Sequence, residues 1–209
     1  INVDYFAATK ETRTMESSSP KINVTPTVLV PLAQGCEELE AVTITDLLTR
    51  AGIKVITVGL DDNIVTASRG MKLIPDKNID HVLNDDFDMI VLPGGLPGAD
   101  HLNNDQRIQA LIKKMAANNK FTAAICAAPR VFATAGLLDN KHVTSFPGAL
   151  DNFPVNKMTY EEKAVVIDGN VITSRGPGTA MDFALTLIEL LVGKEKRNDV
   201  EIALQRVKA

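Results

Sequence analysis

Ala123-Ala124-Ile125-Cys126-Ala127-Ala128-Pro129 runs a short apolar strand straight into a cysteine, and small residues flank that cysteine before a helix-compatible segment begins. This is the spacing of a nucleophile elbow, the sharp strand-to-helix turn that lifts a reactive side chain above a parallel sheet. So tight a turn needs small residues two places before and two after the nucleophile, and here they are Ala124 and Ala128. A cysteine at the start of a helix also feels the positive end of the helix dipole, which favours thiolate over thiol. The competing reading of the stretch is a small buried cysteine in an Ala-rich helix.

Outward from the elbow, strand and helix patterns alternate. Thr27–Leu32 and Met89–Leu92 are continuous apolar runs, as strands buried on both faces should be. Leu39, Val42, Leu47 and Leu48 mark a helix that Gly52 can stop, and Lys54–Leu60 reads as a second strand. Ile64–Thr66 and Met71–Ile74 read as short exposed strands. Ile108, Leu111, Ile112 and Met115 recur at i, i+3, i+4 and i+7 along one helical face. Gly136 ends the helix behind the elbow, and His142–Thr144 is short and strand-like. Val165–Ile167 and Val171–Thr173 flank Asp168-Gly169-Asn170, a hairpin signal, and Ala184, Leu187, Ile188, Leu191 and Val192 line a last core helix before a charged amphipathic tail. Such alternation predicts an α/β fold, a mostly parallel sheet with helices on both faces. Ligands then bind beyond the carboxyl ends of the strands. The turn after Leu32, Pro93–Ala99, the elbow and Ser174–Thr179 all fall on that rim.

Composition narrows the function. The 209 residues are 45% hydrophobic and lack Trp, which suits one domain over 27–209 with a core of Val, Ile, Leu and Ala. Residues 1–26, in which Lys10–Pro20 is polar and aperiodic, are expected to lie outside it as an extension. A net charge of −4 argues against nucleic acid as the main partner. No apolar run is long enough to span a bilayer. Two cysteines do not make a disulfide scaffold, so a reducing, cytoplasmic location is expected. His81, His101 and His142 are scattered without metal-ligand spacing, so no metal site is expected.

The rim carries the chemistry. Glu37, Glu38 and Glu40 crowd the first turn of a helix, where the dipole accounts for Glu37 and Glu38. Glu40 instead can turn toward Cys126; a carboxyl beside a thiolate holds its proton more tightly and can serve as general acid and base. Pro93-Gly94-Gly95-Leu96-Pro97-Gly98 either aims N–H groups at a developing oxyanion or is simply a tight turn. Thr179 is placed as a helix N-cap, and Arg175 can pair with a carboxylate or with a substrate oxygen, the structural role being the expected one. Cys36 is expected to be passive, the alternative being a resolving thiol for an oxidised Cys126.

Taken together, Gly35-Cys36-Glu37-Glu38-Leu39-Glu40, Val91-Leu92-Pro93-Gly94-Gly95, Ala123–Pro129 and Thr173–Thr179 resemble the ThiJ/PfpI superfamily, from about Thr27 to the C-terminus. The branch is that of the parkinsonism-associated deglycase and its bacterial relatives. The resemblance implies a flavodoxin-like fold, a homodimer, and no metal or organic cofactor. It implies that Cys126 is an oxidation-sensitive nucleophile and Glu40 a protonated glutamate bonded to it. It places Gly94, Gly95 and Ala127 at the substrate, and Arg50 and Arg69 near an anion-accepting patch by the active site and dimer contact. The activity implied is a glutathione-independent glyoxalase or deglycase acting on 2-oxoaldehydes such as methylglyoxal and on their adducts. The alternative is a redox sensor or chaperone switched by oxidation of Cys126. Three departures matter: Ala127 stands where peptidase relatives carry His, Phe146 where many eukaryotic members carry His, and Ile74 where the family has a second cysteine.

Overall fold

The computed structural model describes residues 25–206, so the expected extension at 1–26 lies, but for its end, outside the described residues. The chain opens with β1 (Thr27–Leu32), α1 (Glu38–Arg50), β2 (Lys54–Gly59), β3 (Val65–Thr66), β4 (Lys72–Leu73), β5 (Lys77–Asn78) and β6 (Met89–Leu92). It continues with α2 (Gly98–Asn104), α3 (Gln106–Ala117), β7 (Phe121–Ile125), α4 (Pro129–Ala135), β8 (His142–Val143) and β9 (Thr159–Tyr160). The hairpin β10 (Val165–Asp168) and β11 (Val171–Ser174) follows, then α5 (Ala180–Val192) and α6 (Lys194–Ala203).

Seven strands form one sheet in the order β10-β11-β7-β6-β1-β2-β5, parallel throughout except for β10 against β11. β3 and β4 pair as a separate antiparallel ribbon, and β8 and β9 pair elsewhere. The strands alternate inward residues between two cores. Val28, Val30, Val91, Ala123 and Ile125 meet Ile44 and Leu48 of α1 and Phe183, Leu187 and Ile188 of α5. Leu29, Ile90, Leu92 and Ala124 meet Ile108 and Ile112 of α3 and Phe132 of α4. A strand buried on both faces has no polar side to display, which is why its sequence shows no alternation.

Several expected boundaries shorten: Lys54–Leu60 ends at Gly59, and the strands at Ile64–Thr66, Met71–Ile74 and His142–Thr144 keep only two residues each. Of the four residues read as marking α1, Leu47 and Leu48 are buried, together with Glu38, Glu40, Ala41 and Ile44, whereas Leu39 and Val42 are half-exposed. Gly136 ends α4 in the left-handed conformation, as its position predicts.

Connectivity reverses between β1 and β6: the chain leaves β1 toward β2 and β5, then returns to the other side through β6. The crevice beyond the carboxyl ends at such a reversal is where this class of sheet binds ligands. Leu32, Leu92 and Ile125 end the three adjacent strands there, and each runs into a loop singled out from sequence.

Candidate active site

Cys126 follows β7 directly and has φ +63°, the left-handed region that L-residues rarely adopt. Its backbone is held on both sides: its N–H donates to the Ser174 carbonyl at 3.0 Å, and its carbonyl accepts from Phe146 N–H at 2.8 Å. Strain at one residue, fixed by neighbours, marks a nucleophile elbow. The side chain sits at the floor of a cavity of ≈ 470 Å³ and is 9% exposed.

Glu40 is fully buried in the first turn of α1. Its Oε2 accepts from Gly94 N–H at 2.8 Å, and its Oε1 has no well-aligned hydrogen-bond partner. The Cys126 thiol lies against this carboxyl and bears on it electrostatically. Burial pushes Glu40 up to about 7, against the pull of the Gly94 N–H, so the carboxyl keeps its proton far above the ordinary range. Burial and then the Glu40 charge push the Cys126 thiol up to about 12, while the N–H groups of Gly95 and Ala127 pull it down. The helix dipole expected to favour thiolate is therefore outweighed by burial: α4 begins only at Pro129. Of these two close acids the carboxyl gives up its proton first, so negative charge on the pair rests on Glu40 and opposes a second charge on the sulfur.

The glycine loop is built to this geometry. A Cβ on Gly94 would lie 2.6 Å from Cys126 Cβ and 2.9 Å from Glu40 Oε2. Gly95 has φ +86°, and a Cβ there would lie within 2.6 Å of the Gly35 carbonyl oxygen. The two residues do different work: Gly94 N–H is committed to Glu40, so the N–H groups left for sulfur or an oxyanion are those of Gly95 and Ala127.

Arg69 lines the cavity, whereas Arg50 ends α1 about 15 Å along the helix from Glu40 and pairs with Asp46 at 2.9 Å. Glu37 is more than a dipole partner: it lines the cavity, and its carboxylate accepts from Ser68 Oγ at 2.8 Å. Glu38 accepts from Ser68 Oγ and from the backbone of Arg69 and Met71, which pins the β3–β4 ribbon onto α1. Cys36 is wholly buried, and burial pushes its thiol up to about 11. Thr179 occupies the N-cap position of α5, but its hydroxyl turns back to Gly176 and Ser174 instead of capping the helix. Among the described residues, no three His, Cys, Asp or Glu side chains gather as metal ligands do.

A family model described as DJ-1/PfpI matches residues 26–190. The chain belongs to the DJ-1/PfpI family. It is similar to protein dj-1beta of Drosophila melanogaster, 43% identical over 173 residues, which are 82% of this chain and 92% of that one. The crystal structure of that fly protein superposes with a TM-score of 0.84, covering 88% of this chain and 100% of the other at 42% identity. The chain is 41% identical over 182 residues to the DJ-1 homolog A of Arabidopsis thaliana, covering 86% of this chain but only 46% of that longer protein. It is also 35% identical over 173 residues to the Caenorhabditis elegans protein named glutathione-independent glyoxalase DJR-1.2, covering 83% of this chain and 91% of that one.

The DJ-1/PfpI motifs supply only part of the cavity. Ser68, Arg130 and the segment Phe146–Ala149 also line it. Arg130 sits one turn past the elbow and bonds the Ala127 carbonyl, a placement its i+4 spacing from Cys126 could have signalled. Ser68 and Phe146 belong to loops with no periodicity and no motif.

Proposed function

We propose that this chain is a cysteine-dependent, glutathione-independent glyoxalase that also accepts glycated thiols and amines, in the defence against reactive carbonyls. The observation that carries the reading is the pairing of Cys126 with a buried, proton-holding Glu40, beneath N–H groups of Gly95 and Ala127. The name of the nematode relative supports the same class of reaction.

In this reading the Glu40 carboxylate takes the thiol proton as the Cys126 sulfur adds to the aldehyde carbon of R–CO–CHO; a C–S bond forms, the carbonyl double bond opens onto oxygen, and the new oxyanion is held by the Gly95 and Ala127 N–H groups. Glu40 protonates that oxygen. As carboxylate, it then removes the C–H proton of the hemithioacetal, giving an enediol. Returning the proton to the neighbouring carbon turns the ketone into an alcohol and leaves a thioester on sulfur. Water cleaves the C–S bond, restores the thiol and releases a 2-hydroxy acid. One carbon is oxidised and its neighbour reduced, so no external oxidant enters.

The test is incubation with methylglyoxal in the absence of glutathione, with lactate followed by NMR and Cys126→Ser as control. Lactate from the wild type alone supports the reading, and none from either overturns it. A second reading, a redox sensor or chaperone, draws on one contrast: Cys126 opens to the cavity and Cys36 is fully buried. Mild peroxide followed by mass spectrometry should then oxidise Cys126 selectively, and equal oxidation of both thiols counts against it.

A further inference from the structure

A three-carbon aldehyde fills only a small part of the ≈ 470 Å³ cavity above Cys126. Cavities of this order take ligands well beyond that size. What the remaining space offers is set by which lining groups are still unmatched. Ser68 Oγ is bonded to Glu37 and Glu38. Arg130 is bonded to the Ala127 carbonyl and to Asp100. Arg69 also lines the cavity and is exposed, its guanidinium held by one bond to the Ser68 carbonyl at 3.4 Å. The apolar lining stands open as well: Leu96 is 54% exposed and Phe146 50% exposed, and Pro147, Ala149 and Pro177 extend the same surface.

That surface is fixed to the reacting centre. The Phe146 N–H donates to the Cys126 carbonyl at 2.8 Å, so the ring's backbone anchor is the nucleophile itself. A Cβ on Gly176 would lie 3.4 Å from Phe146 Cδ2, which places one edge of the ring against the Gly176 backbone. Leu96 follows Gly95, one of the residues whose N–H faces the sulfur. Half-exposed apolar side chains scattered over a surface mean little, but two beside one thiol, in one concavity, form a binding surface.

We infer that the site selects 2-oxoaldehydes carrying an apolar substituent, aryl above all, over methylglyoxal. Phe146 and Leu96 cover the substituent while the aldehyde reaches Cys126. This rests on the glyoxalase reading and adds the substrate class to it. An aryl substituent in place of methyl removes several more carbons from water, and offset or edge contact with the Phe146 ring adds to that. Phenylglyoxal and water would give mandelate by the same internal transfer, the aldehyde carbon oxidised and the ketone carbon reduced.

The experiment compares initial kcat/KM for phenylglyoxal, followed as mandelate, and methylglyoxal, followed as lactate, in the wild type, Phe146→Ala, Leu96→Ala and Phe146→Leu. The expected result is a preference for phenylglyoxal of roughly tenfold, reduced several-fold by either alanine variant and partly restored by leucine. A wild type with no aryl preference, or a preference that neither alanine variant alters, overturns the inference. If the wild type consumes neither aldehyde, the glyoxalase reading fails, and the apolar surface is then tested by protection of Cys126 from iodoacetamide. Stronger protection by phenylglyoxylate than by pyruvate supports it, and equal protection overturns it.

Discussion

Gly94 gives its N–H to Glu40 Oε2 at 2.8 Å, which commits one carboxyl oxygen to the loop and leaves the other beside Cys126. Glutamine is nearly the same shape and can accept the same Gly94 hydrogen bond, but it cannot carry a proton back and forth. Glu40→Gln should therefore reduce lactate formation by a factor of roughly 10² to 10⁴. Cys126 should still be alkylated by iodoacetamide, as mass spectrometry of the modified peptide would show. Turnover within a few-fold of wild type would remove Glu40 from the proton-transfer role.

Glu40 also ties stability to pH. Its ordinary value is 4.5 and burial raises it to about 7 in the folded chain, so the fold binds this proton more tightly than the unfolded chain does. The stabilisation is complete below pH 4.5 and is lost as pH rises through about 7. It amounts to about 3 kcal/mol across that window. Denaturant unfolding at several pH values should show the wild type losing stability relative to Glu40→Gln as pH rises. Parallel curves for the two proteins would mean that Glu40 titrates as an ordinary carboxyl.

The glycine loop admits no side chain at either position. Gly94→Ala puts a methyl group 2.6 Å from Cys126 Cβ and against the oxygen that Gly94 itself holds. Gly95→Ala adds left-handed backbone strain to a clash with the Glu37 backbone nitrogen. Each should destabilise the chain by roughly 1–3 kcal/mol, Gly95→Ala the more. Gly94→Ala should also lower lactate formation at temperatures where the protein is still folded, since the methyl separates acid from thiol. Thermal unfolding and activity assayed on the same samples would distinguish the two effects.

The frame and the elbow were legible in the sequence because each leaves a local signature: unbroken apolar runs for β1, β6 and β7, and the small residues around Cys126. Glu40 was legible because a strand end places the next helix turn on the rim. The division of labour between Gly94 and Gly95 was not, because it depends on where one buried carboxyl points across 54 residues of chain. Phe146 and Ser68 come from loops whose course is set by tertiary hydrogen bonds, Phe146 N–H to Cys126 and Ser68 N–H to Cys36, that no periodicity records.

Arg130 joins the two segments that supply the N–H groups facing the sulfur. Its Nε donates to the Ala127 carbonyl at 3.1 Å and its Nη1 to Asp100 Oδ1 at 2.6 Å. Asp100 lies in the first turn of α2, where the N–H of Ala99 holds the Gly95 carbonyl at 2.9 Å. The guanidinium also sits 5.5 Å from the centre of the Phe153 ring. One planar fork thus fixes the peptides on both sides of the thiol, which a lysine ammonium cannot do from a single point. Arg130 is a positioning residue, acting through Ala127 and Gly95. Arg130→Lys should lower kcat roughly tenfold while KM changes little, because the donors are needed most when charge develops. Asp100→Asn, which keeps an acceptor in place, should do less. A fall in Tm with kcat unchanged would reduce Arg130 to a structural residue.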